Sequence, residues 1–388
     1  MSTIKVTNIE HENTTNGGIQ LDSSGHVTVD GVQMPTTGPL SNRNLIINGA
    51  MQVAQRGTSS TSQHNSNNYG LDRWQVVCPN TSAVLVHSQE STGGPDGFEN
   101  WLKISPSTAD TAIAANNYSS VQQKIEGYNF APARYGTADA KNVSVSFKFK
   151  TNKAGTYCVC HRNEAANRNY IHEFTPVADG SWQTITYTVE GDTTGTWATT
   201  NGLGWRFELF LANGTNNQSS TTDTWFQGQY YHATPNQVNF LDSTSNELGI
   251  TGVQVELGTK STPFEYRSYG DELAKCRRYY FQSKQQGDTY EGCYYAYGIS
   301  TNRIGAQVRL PIEMRTDPSF VLIRPVDGVQ DGAHRYYGVG SGATGDVSFT
   351  SVGFADRGRL GFPYITLNNN SIVQGAGYLF HIEAHAEL

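Results

Sequence analysis

A chain of 388 residues with a formal net charge of −7 has no overall attraction to a phosphate backbone or an anionic membrane surface, so we expect neither nucleic-acid binding nor attachment to such a surface. No stretch approaches the roughly 18 apolar residues needed to span a bilayer, so we expect no membrane insertion. Only 16% of the residues are charged, against about 25% in an average globular protein, so most of the polar surface must be uncharged. Five cysteines are too few, and odd in number, for a disulfide framework. The first residues lack a basic segment followed by an apolar one, so we expect synthesis in the cytoplasm without a cleaved export signal.

Residues 1–42 contain scattered aliphatic side chains and no aromatic residue, so this segment cannot build a core of its own. Two alternating stretches, Ile19–Leu21 and Val27–Val29, flank the turn-rich sequence Asp22–Gly25, which predicts a hairpin. A lone hairpin is only marginally stable in water. The segment therefore either stays disordered or buries its apolar side chains against another chain, and we favour the second outcome.

From residue 43 to residue 270 the chain is typical of β structure. The strongest pattern is Val143–Lys150, where apolar and polar side chains alternate and the apolar ones fall on one sheet face. Shorter runs of the same kind lie at 74–77, 83–86, 156–160, 185–189, 205–211 and 250–257. Turn-rich stretches separate these runs, without a helical period between them. The pattern predicts an antiparallel β-sandwich, with a jelly roll as the best single description, over residues 43–270.

One helix is predicted, over residues 271–281. Acidic residues fall in its first turn and basic residues later, which complements the helix macrodipole, while Leu273, Cys276 and Tyr280 share one apolar face. This helix is a short connector.

Strand-like runs resume in residues 282–388, a length that suits a second, smaller β domain. The predicted fold is mainly β throughout.

Several stretches carry a resemblance to a known family: Asn42–Gly57, Ile250–Gly258, Thr262–Leu273 and Cys276–Tyr280. Over residues 43–281 the chain resembles bacteriophage and prophage tail-fibre proteins, which carry a carbohydrate-binding-module-like jelly roll followed by a variable C-terminal domain. The resemblance implies a structural virion protein, a homotrimer that mediates host recognition and adsorption. Residues 1–42 would be an extended segment that attaches to phage tail or portal-proximal virion proteins. Residues 282–388 would form the receptor-binding domain, with a bacterial surface glycan or outer-membrane protein as partner.

We expect no enzyme activity and no cofactor. The sequence holds no nucleophile elbow, metalloprotease motif or phosphate loop, and the family-like stretches carry no catalytic residue. Two alternatives stay open: a tailspike-like polysaccharide depolymerase, whose paired carboxylates leave no sequence signature, and a head or tail decoration protein without receptor function. Cys158, Cys160 and His161 form the one metal-like pattern, but no second cysteine pair follows, so buried structural thiols are favoured over a metal site.

Candidate binding residues lie in both domains. Trp197 and Trp225 lie near polar loops and are candidates for stacking on a sugar, although core packing is the commoner role and is expected for Trp74 and Trp205. In the C-terminal domain, loops predicted to present receptor-binding residues are 285–290, 327–337, 355–359 and 368–371. The candidates there combine tyrosine for stacking with arginine and aspartate for charge-assisted hydrogen bonds: Tyr290, Arg335, Tyr336, Tyr337, Asp356, Arg357 and Arg359.

Overall fold

The structure is a computed structural model, and it describes residues 7–9, 18–21, 27–29, 32–33, 41–62, 66–229, 231–284, 292–323, 334–339, 345–349, 352–367 and 372–388. It describes the backbone alone at 32–33, 66–67, 334–336, 339, 345–349 and 367. The fold is mainly β, as predicted. The chain divides into two compact units, the first with residues 1–52, 60–68 and 74–267 and the second with residues 53–59, 69–73 and 268–388.

The N-terminal residues form a small antiparallel sheet. Its strands, in order across the sheet, are β1 (Asn8–Ile9), β2 (Ile19–Leu21), β3 (Val27–Val29) and β4 (Val32–Gln33). The predicted hairpin is confirmed, because β2 pairs with β3. Ile9, Ile19 and Val29 lie in one row across three strands, so they share one face of the sheet, and Gln20 lies on the other.

Two sheets form the sandwich of the first unit, and the prediction of a β-sandwich jelly roll is confirmed. Its strands are β5 (Ser59–Ser62), β6 (Ser66–Tyr69), β7 (Gln75–Cys78), β8 (Val84–Glu90), β9 (Trp101–Thr108), β10 (Tyr118–Glu126), β11 (Val143–Thr151), β12 (Tyr157–Arg162), β13 (Arg168–Phe174), β14 (Gln183–Val189), β15 (Leu203–Asn213), β16 (Phe226–Gln227) and β17 (Leu248–Leu257). The order is β16-β13-β12-β15-β10-β7-β6 in the seven-stranded sheet and β14-β11-β17-β9-β8-β5 in the six-stranded sheet. Helix α1 (Gly127–Phe130) follows β10.

The hydrophobic core of the sandwich lies between these sheets. Alternate residues of β11 are fully buried, as the apolar–polar pattern predicts. Phe147 of β11 meets Phe207 of β15 edge to face, with 5.7 Å between the ring centroids, so aromatic contacts join the two sheets. Trp74 and Trp205 are both buried in this core, as expected.

The family-like stretches at the two ends of the sandwich sequence bind each other. The side chain of Asn44 donates to the carbonyl of Val253 (3.1 Å) and accepts from the amide of Val255 (3.1 Å). The carboxylate of Glu265 accepts from the amides of Arg43 (3.2 Å) and Asn44 (3.0 Å). These contacts give the family-like residues a structural role, because they hold the start of the sandwich against its last strand.

A nine-stranded sheet forms the second unit. Helix α2 (Tyr269–Arg277) precedes the strands β18 (Tyr280–Gln282), β19 (Tyr294–Ser300), β20 (Arg303–Arg309), β21 (Ser319–Ile323), β22 (His334–Val339), β23 (Gly345–Phe349), β24 (Val352–Ala355), β25 (Gly361–Leu367) and β26 (Gly377–His385). The order is β23-β22-β26-β19-β20-β25-β24, and β18 and β21 also pair with β26. One face of this sheet packs a hydrophobic core around Phe320, Phe362 and Phe380.

The predicted helix over residues 271–281 is wrong at both ends. Helix α2 begins at Tyr269, because the hydroxyl of Ser268 accepts a hydrogen bond from the amide of Asp271 (3.2 Å) and caps the first turn. It ends at Arg277, and Tyr280 and Phe281 form β18 with Gln282, which pairs with β26. Aromatic side chains favour a pleated, half-buried surface, so this tertiary pairing overrides the helical period.

An ionic cluster links two short segments of the second unit to its C-terminal residues. Arg56 and Arg73 both pair with the carboxylate of Glu387, Arg56 at 3.1 Å. Each guanidinium also lies on an aromatic ring: Arg73 is 3.6 Å from the ring centre of Tyr279, and Arg56 is 3.5 Å from that of Tyr280. The family-like residues here are thus also structural.

Candidate functional site

Two tyrosines of β19 project from the outer face of the nine-stranded sheet. Tyr295 is 64% exposed and Tyr297 is 55% exposed, whereas Ala296 between them is buried. The rings lie over glycines: a methyl group added at Gly377 would come within 2.6 Å of Tyr295, and one added at Gly305 within 3.1 Å of Tyr297. Because glycine has no Cβ, ring atoms of both tyrosines can occupy the space above these glycines while most of each side chain stays exposed.

Strand register extends this surface on both sides. Leu379 of β26 lies opposite Tyr295, and Tyr337 of β22 lies opposite Leu379, in one row across three strands. Tyr364 of β25 lies on the same side of the sheet, and the guanidinium of Arg303 lies 4.4 Å from the centre of its ring. We call this surface the tyrosine face: Tyr295, Tyr297, Tyr337, Tyr364, Leu379 and Arg303.

A cleft of about 700 Å³ lies at the C-terminal end of β20. It is lined by the outward residues Gln307 and Arg309 and by residues of the turn after β24, including Asp356. Arg359 also lines it; its guanidinium lies 3.0 Å from the carboxylate of Glu313, and its Nε donates to a backbone carbonyl at 2.9 Å. Because β20 contributes outward residues to both, the tyrosine face continues into the cleft.

The structure brings two of the predicted receptor-binding residues, Asp356 and Arg359, to this cleft. Arg357 is exposed in the same turn. Tyr290 lies outside the described residues, as do the predicted loops at 285–290 and 368–371. As receptor-binding residues, all of these stay predictions.

Three further candidates lie in a strand and not in the predicted loop at 327–337. Arg335, Tyr336 and Tyr337 belong to β22, which pairs with β23 and β26. Adjacent tyrosines suit a pleated strand. Tyr336 pairs with β23 and Tyr337 with both β23 and β26, and this pairing replaces the expected turn. Tyr337 lies on the tyrosine face.

The most exposed residues of the tyrosine face are absent from the predicted set. The sequence around Tyr295 and Tyr297 predicts a strand, and alternation places the two tyrosines on one side of it. Nothing in that local pattern shows that this side faces solvent, since the other side carries a tyrosine too, Tyr294, beside the small residues Ala296 and Gly298. The strand pairing that places glycines beneath the rings is non-local, and it was the missing information.

The two candidate tryptophans belong to an aromatic cluster of the sandwich. Trp197 is 8% exposed, and it meets Tyr135 and Trp225 edge to face at centroid distances of 4.9 and 5.2 Å. Both indole N–H groups donate to backbone carbonyls, that of Trp197 to Thr194 (3.0 Å) and that of Trp225 to Glu190 (2.7 Å). Burial favours a packing role for Trp197, whereas the half-buried Trp225 keeps more accessible surface.

The outer face of the seven-stranded sheet carries a buried ionic cluster. The carboxylate of Glu208 pairs with Arg162, lies 3.5 Å from Arg206 and accepts a hydrogen bond from Ser120 (2.7 Å). Desolvation opposes the charge of Glu208, but the two guanidinium groups outweigh it and hold its pKa at about 2. Because Glu208 and Arg162 are almost fully buried, this cluster offers no open binding surface in the structure.

The metal-like pattern at Cys158, Cys160 and His161 does not converge on one point. Both thiols are buried, and desolvation raises their pKa values to about 11 and about 12. His161 projects to the opposite side of β12, where it stacks on Trp205 at a centroid distance of 4.1 Å. Within the described residues, no group of three or more His, Cys, Asp or Glu side chains is placed to hold a metal ion.

The described helices include none long and apolar enough to span a membrane.

No protein-family model matches the sequence, and no curated protein matches it either. Similar solved structures include the enzymatically active domain of bacteriophage CBA120 tailspike protein 4, with a TM-score of 0.30 and 8% identity; the match covers 55% of this chain and 21% of that chain. Another is a structure described as CBM4, with a TM-score of 0.29 and 16% identity over 54% of this chain and 98% of the other. A third is the family 11 carbohydrate-binding module of a Clostridium thermocellum cellulosomal cellulase, with a TM-score of 0.26 and 10% identity over 53% and 98%.

Proposed function

We propose that the chain is a structural virion protein, a tail fibre that binds a bacterial surface glycan through the tyrosine face and adsorbs the virion to its host without catalysis. The observation that carries the proposal is the pair of exposed tyrosines, Tyr295 and Tyr297, whose ring atoms lie over glycines of the neighbouring strands. The resemblance of residues 43–281 to tail-fibre proteins supports the virion role.

The chemistry of the tyrosine face suits a sugar chain. The apolar C–H face of a sugar ring stacks on an aromatic face, and Tyr295 and Tyr297 offer two such faces about 7 Å apart along β19. Phenolic hydroxyls and the outward side chains of Arg303 and Gln307 supply hydrogen bonds for sugar hydroxyls. Large aromatic side chains grouped on an exposed surface are typical of an interaction site.

The N-terminal sheet supports assembly of several copies. Ile9 and Ile19 share one face and are 59% and 42% exposed, whereas Gln20 on the other face is half-buried. Among the described residues of this sheet the apolar side is the more exposed side, and we propose that further copies of this chain cover it in a homotrimer. The same segment would attach to tail or portal-proximal proteins. Three copies would make weak glycan contacts avid.

The binding proposal is tested with the double variant Tyr295→Ala/Tyr297→Ala in the full chain. Loss of two stacking contacts should lower affinity for immobilised cell-envelope polysaccharides about tenfold or more, since each contributes about 0.5–1.5 kcal/mol beyond its buried area. Tyr128→Ala is the matched control, because Tyr128 is equally exposed but lies in the first unit. Wild-type affinity in the double variant would contradict the proposal.

The absence of catalysis is tested on the polysaccharides that the wild-type protein binds. Prolonged incubation should release no new reducing ends, whereas a rise with time would favour the depolymerase alternative.

The receptor-binding role of the second domain is tested separately. Virions that carry a chain without residues 282–388 should adsorb poorly to host cells. Normal adsorption of such virions would favour a decoration protein without receptor function.

A further inference from the structure

The outward side of β20 carries cations and no carboxylate. Alternation along the strand places Arg303, Gly305, Gln307 and Arg309 on the outer face, while the residues between them are buried in the core face. The two arginines are six residues apart, which corresponds to about 20 Å along the strand. The row of outward residues on β20 begins at the tyrosine face and ends in the cleft.

Neither arginine has a carboxylate partner among the described residues. The guanidinium of Arg303 is held over Tyr364, and its Nε is buried without a hydrogen-bond acceptor. Arg309 is exposed. The nearby Arg359 is neutralised by Glu313, and Asp356 is the other carboxylate of the cleft. Acidic residues outnumber basic residues 34 to 27 in the whole chain. The outward side of β20, with two arginines that have no carboxylate partner among the described residues, is therefore a positively charged patch on a negatively charged protein.

We propose that this surface, granted that it binds glycans, selects a polysaccharide that carries carboxylate groups, such as a polymer of uronic acids. Tyr295 and Tyr297 stack on its sugar rings, and Arg303 and Arg309 pair with carboxylates of separate repeating units. The planar guanidinium fork matches a carboxylate with two parallel hydrogen bonds. A polymer that repeats its charge can reach two arginines about 20 Å apart, whereas a single anionic headgroup reaches only one.

Binding of the full-length protein is measured to polygalacturonate, alginate and hyaluronate, each beside its carboxyl-reduced form, and to dextran and a phosphate-bearing teichoic acid. At least one carboxylated polymer should bind, and its carboxyl-reduced form should bind at least tenfold more weakly. Added salt should lower the affinity for the carboxylated polymer, because exposed charge pairs are screened. Equal binding of reduced polymers, binding to teichoic acid alone, or no binding to any of these polymers would overturn the proposal.

The double variant Arg303→Gln/Arg309→Gln locates the effect. Its affinity for the carboxylated polymer should fall at least tenfold, because the variant loses two charge-assisted pairs with carboxylates, and its salt dependence should flatten. Arg134→Gln is the matched control, because Arg134 is exposed in the first unit. Unfolding midpoints equal to wild type confirm that the variants fold, and unchanged binding by the Arg303/Arg309 variant overturns the proposal.

The two proposals fail in different ways. If neutral polymers bind as well as acidic ones and the Tyr295/Tyr297 variant still loses them, the glycan-binding function stands and the acidic specificity is wrong. If the Tyr295/Tyr297 variant binds every polymer as wild type does, the tyrosine face is not the binding surface, and both proposals fall.

Discussion

Gly377 controls how Tyr295 presents its ring. An added methyl group would meet the hydroxyl of Tyr295 at 2.6 Å and its ring atoms at 2.9 and 3.1 Å. The clash is with the far end of a movable side chain, so the ring can lift away and the strand can still form. The glycine therefore matters for the shape of the surface more than for the stability of the sheet.

Gly377→Ala should accordingly separate binding from folding. We expect its free energy of unfolding to stay within about 1 kcal/mol of wild type, while polysaccharide affinity falls several-fold because the added methyl group displaces the ring of Tyr295 from its place over residue 377. Titration calorimetry and urea unfolding of the same preparation give the two quantities. Unchanged affinity would show that this placement of the Tyr295 ring is not needed for binding.

Three buried histidines make the sandwich sensitive to acid. Desolvation lowers the pKa of His87 to about 4 and those of His161 and His232 to about 3, from an ordinary value of 6.5. The unfolded chain therefore takes up protons below pH 6.5 that the folded chain does not, so stability is complete above pH 6.5 and is lost as the pH falls toward 4.

His161→Phe should weaken this pH dependence. Each such histidine contributes up to about 1.4 kcal/mol per pH unit to the slope of stability against pH, and the variant lacks one of them. All six tryptophans lie in the first unit, so their fluorescence during urea unfolding reports on the sandwich. The slope between pH 6 and pH 4.5 should be shallower than in wild type, even if the variant is less stable at pH 7. An unchanged slope would mean that His161 is protonated in the folded state.

At the scale of elements, the N-terminal sheet shows one-sided apolar patterning. The same register that aligns Ile9, Ile19 and Val29 puts Gln20 on the other side. A charge at position 19 would have to be buried in any assembly that covers this face, whereas a charge at position 20 would not.

Ile19→Asp should therefore reduce the number of copies in solution, and Gln20→Asp should not. Sedimentation equilibrium should give a trimer for wild type and for Gln20→Asp, and a lower mass for Ile19→Asp. If Ile19→Asp remains a trimer, the apolar face of the N-terminal sheet does not hold the copies together.

Local sequence patterns correctly predicted the secondary-structure elements that depend on residues adjacent in sequence. The hairpin of β2 and β3 and the buried alternation of β11 follow from residues adjacent in sequence, and the structure agrees with both. The end of α2 and the strand β22 depend on pairing with β26, about 40 to 100 residues further along the chain, which no local period reveals. The tyrosine face was missed for the same reason, because the glycines beneath its rings come from other strands.

At the scale of the whole molecule, the second unit depends on residues distant in sequence. Glu387, next to the last residue, pairs with Arg56 and with the almost fully buried Arg73. Removing one partner of a buried ion pair leaves an uncompensated charge and costs about 3–5 kcal/mol. The exposed pair of Glu313 with Arg359 should contribute only about 0–1 kcal/mol.

Glu387→Gln should destabilise the second unit by several kcal/mol, and Glu313→Gln should have little effect. Hydrogen exchange of the β26 amides measures this, because β26 lies at the centre of the nine-stranded sheet. Similar exchange rates in the two variants would mean that the ionic cluster contributes little to stability.

The most direct measurement is hydroxyl-radical footprinting of the full-length protein with and without a cell-envelope polysaccharide that it binds. Tyr295 and Tyr297 should be strongly protected by the bound polysaccharide, and Tyr128 and Tyr266, which are similarly exposed in the first unit, should not be. Protection of Trp225 or of other residues in the sandwich, with Tyr295 and Tyr297 still fully reactive, would place the glycan elsewhere and contradict the assignment of the tyrosine face.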